Sequence, residues 1–407
     1  MSCGTAVIYF DVLDRLVTWS TPAASGSYAY DAIGNRTSEI DGATTKNHTY
    51  AGTSNRLTSQ NGVAITHLAS GQRLNDGAPQ RSFTYNARGR LATVSQSGAT
   101  LATYQHDALE QRAQKTAAGV STLYVYDIAG HMIGEYRPDG SVVREYAYLD
   151  DEPVAQFEAS GQIEYLHPDH LGTPRQATDG FRAVVWRWEG EPFGDVDPNE
   201  NPDGDATQVK VNLRFPGQYF DSETRLVENW HRYYDPAMGR YVESDPIGIA
   251  GGTDGYTYVE NEPMNWSDPK GTFRIHGNWC GPNWTGGRRE SYSTSHDSKY
   301  AAPGDGLDNS CRTHDICYAQ CRQENQCDSG TRGRCFEMCE SDLRYATRRY
   351  RGAPARAVEW AMGRPGERFE PNPSACPSPR PRWWEGRTQV ESNGNPWGGA
   401  GARSCDA

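Results

Sequence analysis

The sequence predicts a multidomain chain: an all-β coiled sheet of hairpins over residues 1–271, then a small, disulfide-rich, mainly α domain over 272–407. Three observations predict this. Aromatic anchors, most of them followed by an acidic or amide residue, recur at Phe10, Tyr30, Tyr50, Tyr85, His106 and Tyr126, mostly 20 or 21 residues apart, and a fixed period of that length marks a repeat array. Nine of the 10 cysteines lie from Cys280 onward, with Cys3 alone before them, which marks the tail as a separate, disulfide-built unit. Within that tail Leu307, Cys311, His314, Tyr318 and Cys321 return at intervals of four and three residues, the spacing of one helix face.

The repeats come first along the chain. Phe10-Asp11-Val-Leu-Asp14-Arg15-Leu16 and Tyr30-Asp31-Ala-Ile-Gly34-Asn35-Arg36 set the pattern, and Tyr85-Asn86-Ala-Arg-Gly89-Arg90-Leu91 and Tyr126-Asp127-Ile-Ala-Gly130-His131 repeat it. Each copy alternates aromatic and polar residues and then turns at Gly, Asp or Asn, a hairpin signature. The gap from 50 to 85 hides a degenerate copy. One hairpin cannot bury its own face, so neighbours must stack. The stretch Asp195 to Gln208, rich in Asp, Asn and Pro, is expected to be an exposed insertion.

Downstream segments carry a resemblance. Tyr165-Leu-His-Pro-Asp-His-Leu-Gly-Thr-Pro-Arg175, Asn212-Leu-Arg-Phe-Pro-Gly-Gln-Tyr219, Arg232-Tyr-Tyr-Asp-Pro-Ala-Met-Gly-Arg-Tyr241, Ser244-Asp-Pro-Ile-Gly248 and Asp268-Pro-Lys-Gly271 resemble the Rhs/YD-repeat family of polymorphic toxins. The resemblance divides the chain into YD repeats at 1–150, a repeat-associated core at 151–271 and a toxin domain at 272–407. It implies a β-sheet shell that encloses its C-terminal toxin, with a shell-forming N-terminal portion missing from this chain. It further implies self-cleavage after the closing motif, carried by aspartates matching Asp245 and Asp268. A pair of carboxyls can share a proton and activate water. Two residues depart from the family pattern: Thr272 stands where the family has Leu, and Ser244 where it often has Arg. Without cleavage, Asp245 and Asp268 are turn residues before proline.

In the tail, His276-Gly-Asn-Trp-Cys-Gly-Pro-Asn-Trp-Thr-Gly-Gly287 reads as a loop whose carbonyls are not spent on a ladder. Asp305 or Asp308 can cap the helix that follows. His314 and Asp315 are adjacent, so they point roughly 100° apart and serve two tasks: His314 takes a proton from water, and Asp315 reaches a cation held by the loop. Carbonyls plus one carboxylate form an all-oxygen site suited to calcium.

Trp279-Cys-Gly-x-x-x-x-Gly-Gly287, then Asp308-x-x-Cys311-x-x-His-Asp-x-Cys-Tyr318, resembles secreted phospholipase A2. The resemblance implies His314 as general base, Asp315 and the carbonyls of Trp279 and Gly281 as Ca2+ ligands, and Asn283 or Trp284 as the third loop ligand. It assigns Tyr318 to buttress the acidic partner of His314. That partner is Glu340 or Asp342 on a second helix, where the family has Cys-Asp and this chain has Cys339-Glu340. The resemblance also pairs Cys280 with Cys311. One-turn spacing on two antiparallel helices pairs Cys317 with Cys339 and Cys321 with Cys335, leaving Cys327, Cys376 and Cys405 for one bridge and one odd thiol.

Charge divides the same way. Residues 1–271 carry −15, while the Arg-rich remainder carries +3, a balance suited to anionic interfaces such as phospholipid headgroups. There is no 18-residue apolar run for a membrane span. The N-terminus lacks a secretory signal and starts inside a repeat, so the chain reads as the C-terminal part of a larger protein, secreted or delivered to a target cell by a specialised system. The reading that results is a toxin whose calcium-dependent, phospholipase A2-like end attacks a target-cell membrane, with a cognate immunity protein as partner and no nucleic acid. The alternatives are a non-catalytic cell-surface adhesion or binding protein with a cysteine-rich tip, and a nuclease toxin.

Overall fold

The computed structural model describes residues 7–77, 80–248, 252 and 254–272, and beyond them only 284–285, 288–289, 312 and 316. Two antiparallel meanders hold the repeats. The first has seven strands, β1 (Val7–Phe10) to β7 (Val63–Ala64), and the second has thirteen, β8 (Thr66–His67) to β20 (Val184–Arg187). Within each sheet every strand pairs with its neighbours in sequence, as the hairpin pattern requires. The larger sheet runs through residue 150 as a hairpin, with Leu149 paired to Glu152.

The repeat motif builds one turn many times over. In Asp31-Ala-Ile-Gly34-Asn35, the Asp31 amide donates to the Asn35 carbonyl and the Gly34 amide donates back to Asp31. The Asp31 carboxylate meanwhile accepts the amides of Ile33 and Asn35. The same pairs form at Asp11, Asn86, Asp107 and Asp127. The fourth residue has positive φ, 97° at Gly34 and 80° at Gly89, which favours glycine there. Asp14 and Glu110 tolerate it at 67° and 65°. The degenerate copy is the turn from Leu68 to Gln72, with Gly71 at φ 102°.

The anchoring aromatic ties one hairpin to the one before. The hydroxyls of Tyr30, Tyr50 and Tyr126 donate to the carbonyls of Leu16, Arg36 and Arg112, each 14 residues back, at 2.7, 2.7 and 3.1 Å. The register shifts at each of these tyrosines. Alternate residues bury one face, as Ala102 and Tyr104 do.

A small four-stranded sheet packs against that face: β21 (Tyr219–Asp221), β22 (Leu226–Asn229), β23 (Arg232–Asp235) and β24 (Arg240–Tyr241). Tyr124, Met132 and Tyr146 from the large sheet share a core with Tyr219, Tyr234, Tyr241, Trp186 and Trp188. Charge crosses the same seam. Arg112 meets Asp221 at 2.6 Å, and Arg73 and Arg81 meet Asp235 at 2.7 and 2.8 Å, all with side chains at most 4% exposed. Buried charges persist only when paired in this way. Of the expected insertion, residues 203–208 are exposed, while Asn199 bridges back to Arg187.

Beyond residue 272, Trp284–Thr285 (β25) pairs with Arg288–Arg289 (β26). This corrects the expectation of an unladdered loop at Trp284, because two residues separate the strands and that suffices for a hairpin. Arg312 and Ile316 are helical, and Ile316 packs against the main core cluster. The disulfide-rich, mainly α domain expected there lies outside the described residues. So do Trp279, Gly281, Asn283, His314, Asp315, Tyr318, Glu340 and Asp342, and the cysteines Cys280, Cys311, Cys317, Cys321, Cys335 and Cys339. Among the described residues no helix is long and apolar enough to cross a membrane, and no group of three or more His, Cys, Asp or Glu is placed to hold a metal ion.

Candidate functional site

Of the predicted site residues that the structure places, Trp284 lies in β25, while Asp245 and Asp268 converge at the end of the four-stranded sheet. Both precede proline, and both make a turn. The Asp245 carboxylate accepts the Ile247 amide at 2.9 Å through Oδ1, and its carbonyl accepts Gly248. The Asp268 carboxylate accepts the Thr272 amide at 2.8 Å through Oδ1, and its carbonyl accepts Gly271. The turn reading is therefore correct for one oxygen of each.

The other oxygens meet. A single nitrogen, Nη2 of Arg232, lies 3.0 Å from Oδ2 of Asp245 and 3.0 Å from Oδ2 of Asp268. All three side chains are at most 3% exposed. The rest of the guanidinium binds backbone: Nε donates to the Gly271 carbonyl at 2.6 Å and Nη1 to the Gly255 carbonyl at 3.1 Å. It also stacks on the Tyr241 ring, 3.6 Å from the centroid. The Tyr241 hydroxyl donates to Asp268 Oδ2 at 2.8 Å. Asn229 stands behind, with Nδ2 donating to the Tyr241 oxygen at 2.7 Å and to the Asp268 carbonyl at 2.9 Å.

Close packing holds the second turn in place. Gly217 of the Arg-Phe-Pro-Gly-Gln segment has φ 74°, and a Cβ there would run into the Pro269 carbonyl. Gly271 has φ 65° and abuts the Asn229 carbonyl. Thr272 is buried, and its hydroxyl has no partner among the described residues.

Burial pushes the Asp245 carboxyl up to about 6; Arg232 opposes the rise and Asp268 adds to it. A carboxyl raised in this way carries a proton closer to neutrality than an exposed one does. A carboxyl that carries a proton beside one that accepts is the arrangement needed to activate water at one atom and protonate a leaving group at another. Sequence reasoning identified both aspartates and missed Arg232, Tyr241 and Asn229. All three lie in or next to the Arg232 to Tyr241 segment, whose value as a family marker hid its chemistry.

Stacked hairpin sheets packed on a small sheet that ends in a buried acid pair define a class of shell-forming protein. A sequence model described as Teneurin YD-shell matches residues 7–264, and the chain belongs to that family. It is 29% identical to double-stranded DNA deaminase toxin A of Burkholderia cenocepacia, over 66% of this chain and 21% of that protein. It is 29% identical to tRNA3(Ser)-specific nuclease WapA of Bacillus spizizenii, over 60% of this chain and 11% of that protein. It is 32% identical to the probable deoxyribonuclease RhsA of Dickeya dadantii, over 46% and 13%. The crystal structure of TcdB2-TccC3 without its hypervariable C-terminal region shares the fold, with a TM-score of 0.51 and 19% identity over 65% of this chain and 15% of that one. The chain thus spans about a fifth or less of these relatives.

These relatives correct three expectations. They are named for DNA deamination, tRNA cleavage and DNA cleavage. That overturns a calcium-dependent phospholipase A2-like activity, a phospholipid membrane as target, and the exclusion of nucleic acid as a partner. The physical reason is that the phospholipase resemblance rested on a short spacing of Cys, His and Asp around one helix. A disulfide-built helix presents that spacing whatever its chemistry.

Proposed function

We propose that this chain is the closing part of a toxin shell that cuts its own backbone after Thr272 and so frees a C-terminal portion acting on nucleic acid in a target cell. The observation that carries the cleavage reading is the Asp245–Arg232–Asp268 cluster, in which Arg232 binds the carbonyl and Asp268 the amide of the Gly271–Thr272 peptide, one residue before the proposed cut. In the proposed reaction one carboxylate takes a proton from water. The hydroxide so formed adds to the Thr272 carbonyl carbon. The C–N bond to Phe273 breaks, and the carboxylic acid of the pair gives its proton to the departing amine. Thr272 is left with a carboxylate and Phe273 with a free amine. Arg232 holds the two acids and the Gly271 carbonyl in one frame, so the residue before the scissile peptide is held beside both acids before the reaction begins.

The nucleic-acid reading is supported by the activities for which the relatives are named. N-terminal sequencing of the smaller product tests the cleavage: the reading expects Phe273 first, and a different first residue would relocate the cut. Incubating that product with duplex DNA and with tRNA tests the target. Strand scission or base modification of either is expected, and intact substrates in both arms would remove the nucleic-acid assignment.

A further inference from the structure

The hydrogen bonds of the acid pair are unequal. Asp268 accepts from three donors, the Thr272 amide on Oδ1 and Arg232 Nη2 with the Tyr241 hydroxyl on Oδ2. Asp245 accepts one hydrogen bond, from the Ile247 amide, and its Oδ2 is otherwise in an ion pair with Arg232 Nη2 at 3.0 Å. A proton placed on Oδ2 of Asp268 would face two donors already aimed at it. The phenol cannot simply turn away, because Asn229 Nδ2 donates to its oxygen at 2.7 Å and is itself anchored on the Asp268 carbonyl. The Tyr241 proton is thereby committed to Asp268.

Resting on the self-cleavage reading, we propose that Tyr241, backed by Asn229, is a positioning residue that keeps Asp268 the proton acceptor of the pair and leaves Asp245 to carry the proton. The rise of Asp245 to about 6 agrees with this division. Hydrogen bonds to the charged form of an acid favour that form, so the donor count sets the direction. The titratable groups that face Asp268 are Arg232 and Tyr241 from the four-stranded sheet, His231 just before β23, Tyr258 and Asp245. Burial holds His231 below its usual range and raises Tyr241 and Tyr258 well above theirs.

The test is the rate of self-cleavage of the full chain, refolded by dilution from urea at a series of pH values and followed as the fraction cut. Wild type is expected to lose rate on an acidic limb as the accepting carboxylate becomes protonated. Tyr241→Phe removes one donor from that carboxylate, so the rate should fall several-fold and the acidic limb should move to higher pH by about half to one unit, the size of one modest hydrogen bond. Asn229→Ser leaves the phenol but frees it to turn, and should move the limb in the same direction by less. It carries the test if Tyr241→Phe fails to refold. A uniform loss of rate with an unmoved limb in either variant would reduce Tyr241 to a packing residue and overturn the proposal. A wild-type chain that stays uncut at every pH is a different result, since it would refute the cleavage reading beneath it.

Discussion

Arg232 shows how much one side chain decides. Its guanidinium reaches two carboxylates, two backbone carbonyls and an aromatic face at once, which a lysine ammonium cannot reproduce. Arg232→Lys is therefore expected to fold and to cut at least about 100-fold more slowly, a loss of the order seen when a positioned catalytic group is removed. A time course of the intact chain on a denaturing gel checks it; wild-type speed would make the shared cation dispensable. Gly217 acts at longer reach. Gly217→Ala places a methyl against the Pro269 carbonyl at φ 74° and should cost about 1–3 kcal/mol in urea unfolding. It should also slow the cut, because the displaced turn carries Asp268. The two aspartates were legible in the sequence because each sits in a short Asp-Pro motif. Arg232 was not, because its contacts lie 13 and 36 residues away and arise only when the small sheet folds back on itself.

Among the elements, the hairpins were the most legible, since one turn chemistry recurs at a fixed period. The stitching between turns was not. The fifth residue of a turn binds its own aspartate and then the turn about 20 residues on: Arg15 reaches the Asp31 carbonyl at 2.9 Å, and Asn35 reaches Asn55 at 3.4 Å. His131 is the version of this residue whose charge can change near neutrality. It bridges Asp127 at 2.9 Å and Asp151 at 2.8 Å and stacks on Tyr148. Those carboxylates raise the imidazole above its usual value against the effect of burial. Its contribution is therefore full below about 6.5 and is lost as pH rises through the higher folded value. Amide exchange in the 127–131 and 149–152 turns should speed up across that window, and His131→Asn should abolish the dependence. At the seam between sheets, Arg112→Met strands Asp221 with Lys115 alone and should destabilise by about 3 kcal/mol or more. A change below about 1 kcal/mol in the urea midpoint analysis would show the seam to be held by its aromatic core instead.

The whole molecule combines opposed titrations. Burial holds His48, His67 and His106 down at about 3, so each adds stability that is present above about 6.5 and lost as pH falls below it. Burial pushes Glu191 and Glu243 up to about 7, so each favours the fold below about 4.5 and loses that contribution as pH rises through 7. The two sets roughly cancel between about 4.5 and 6.5. Above that window the raised acids and His131 all weaken the fold together. Urea midpoints measured across pH should show a plateau that falls away on both sides, and Glu191→Gln should flatten the neutral-side decline. The overall class was legible because aromatic spacing dictates stacked hairpins. The activity of the tail was not, because a handful of cysteines and one His-Asp pair fit more than one chemistry.

The central claim is that Asp245 and Asp268 together cut the chain after Thr272. Intact mass spectrometry of the purified full chain tests it most directly, with wild type beside Asp245→Asn and Asp268→Asn. The account predicts two masses for wild type, matching residues 1–272 and 273–407, and one uncut mass for each variant. A single uncut wild-type mass, or the same two fragments from either asparagine variant, would contradict it.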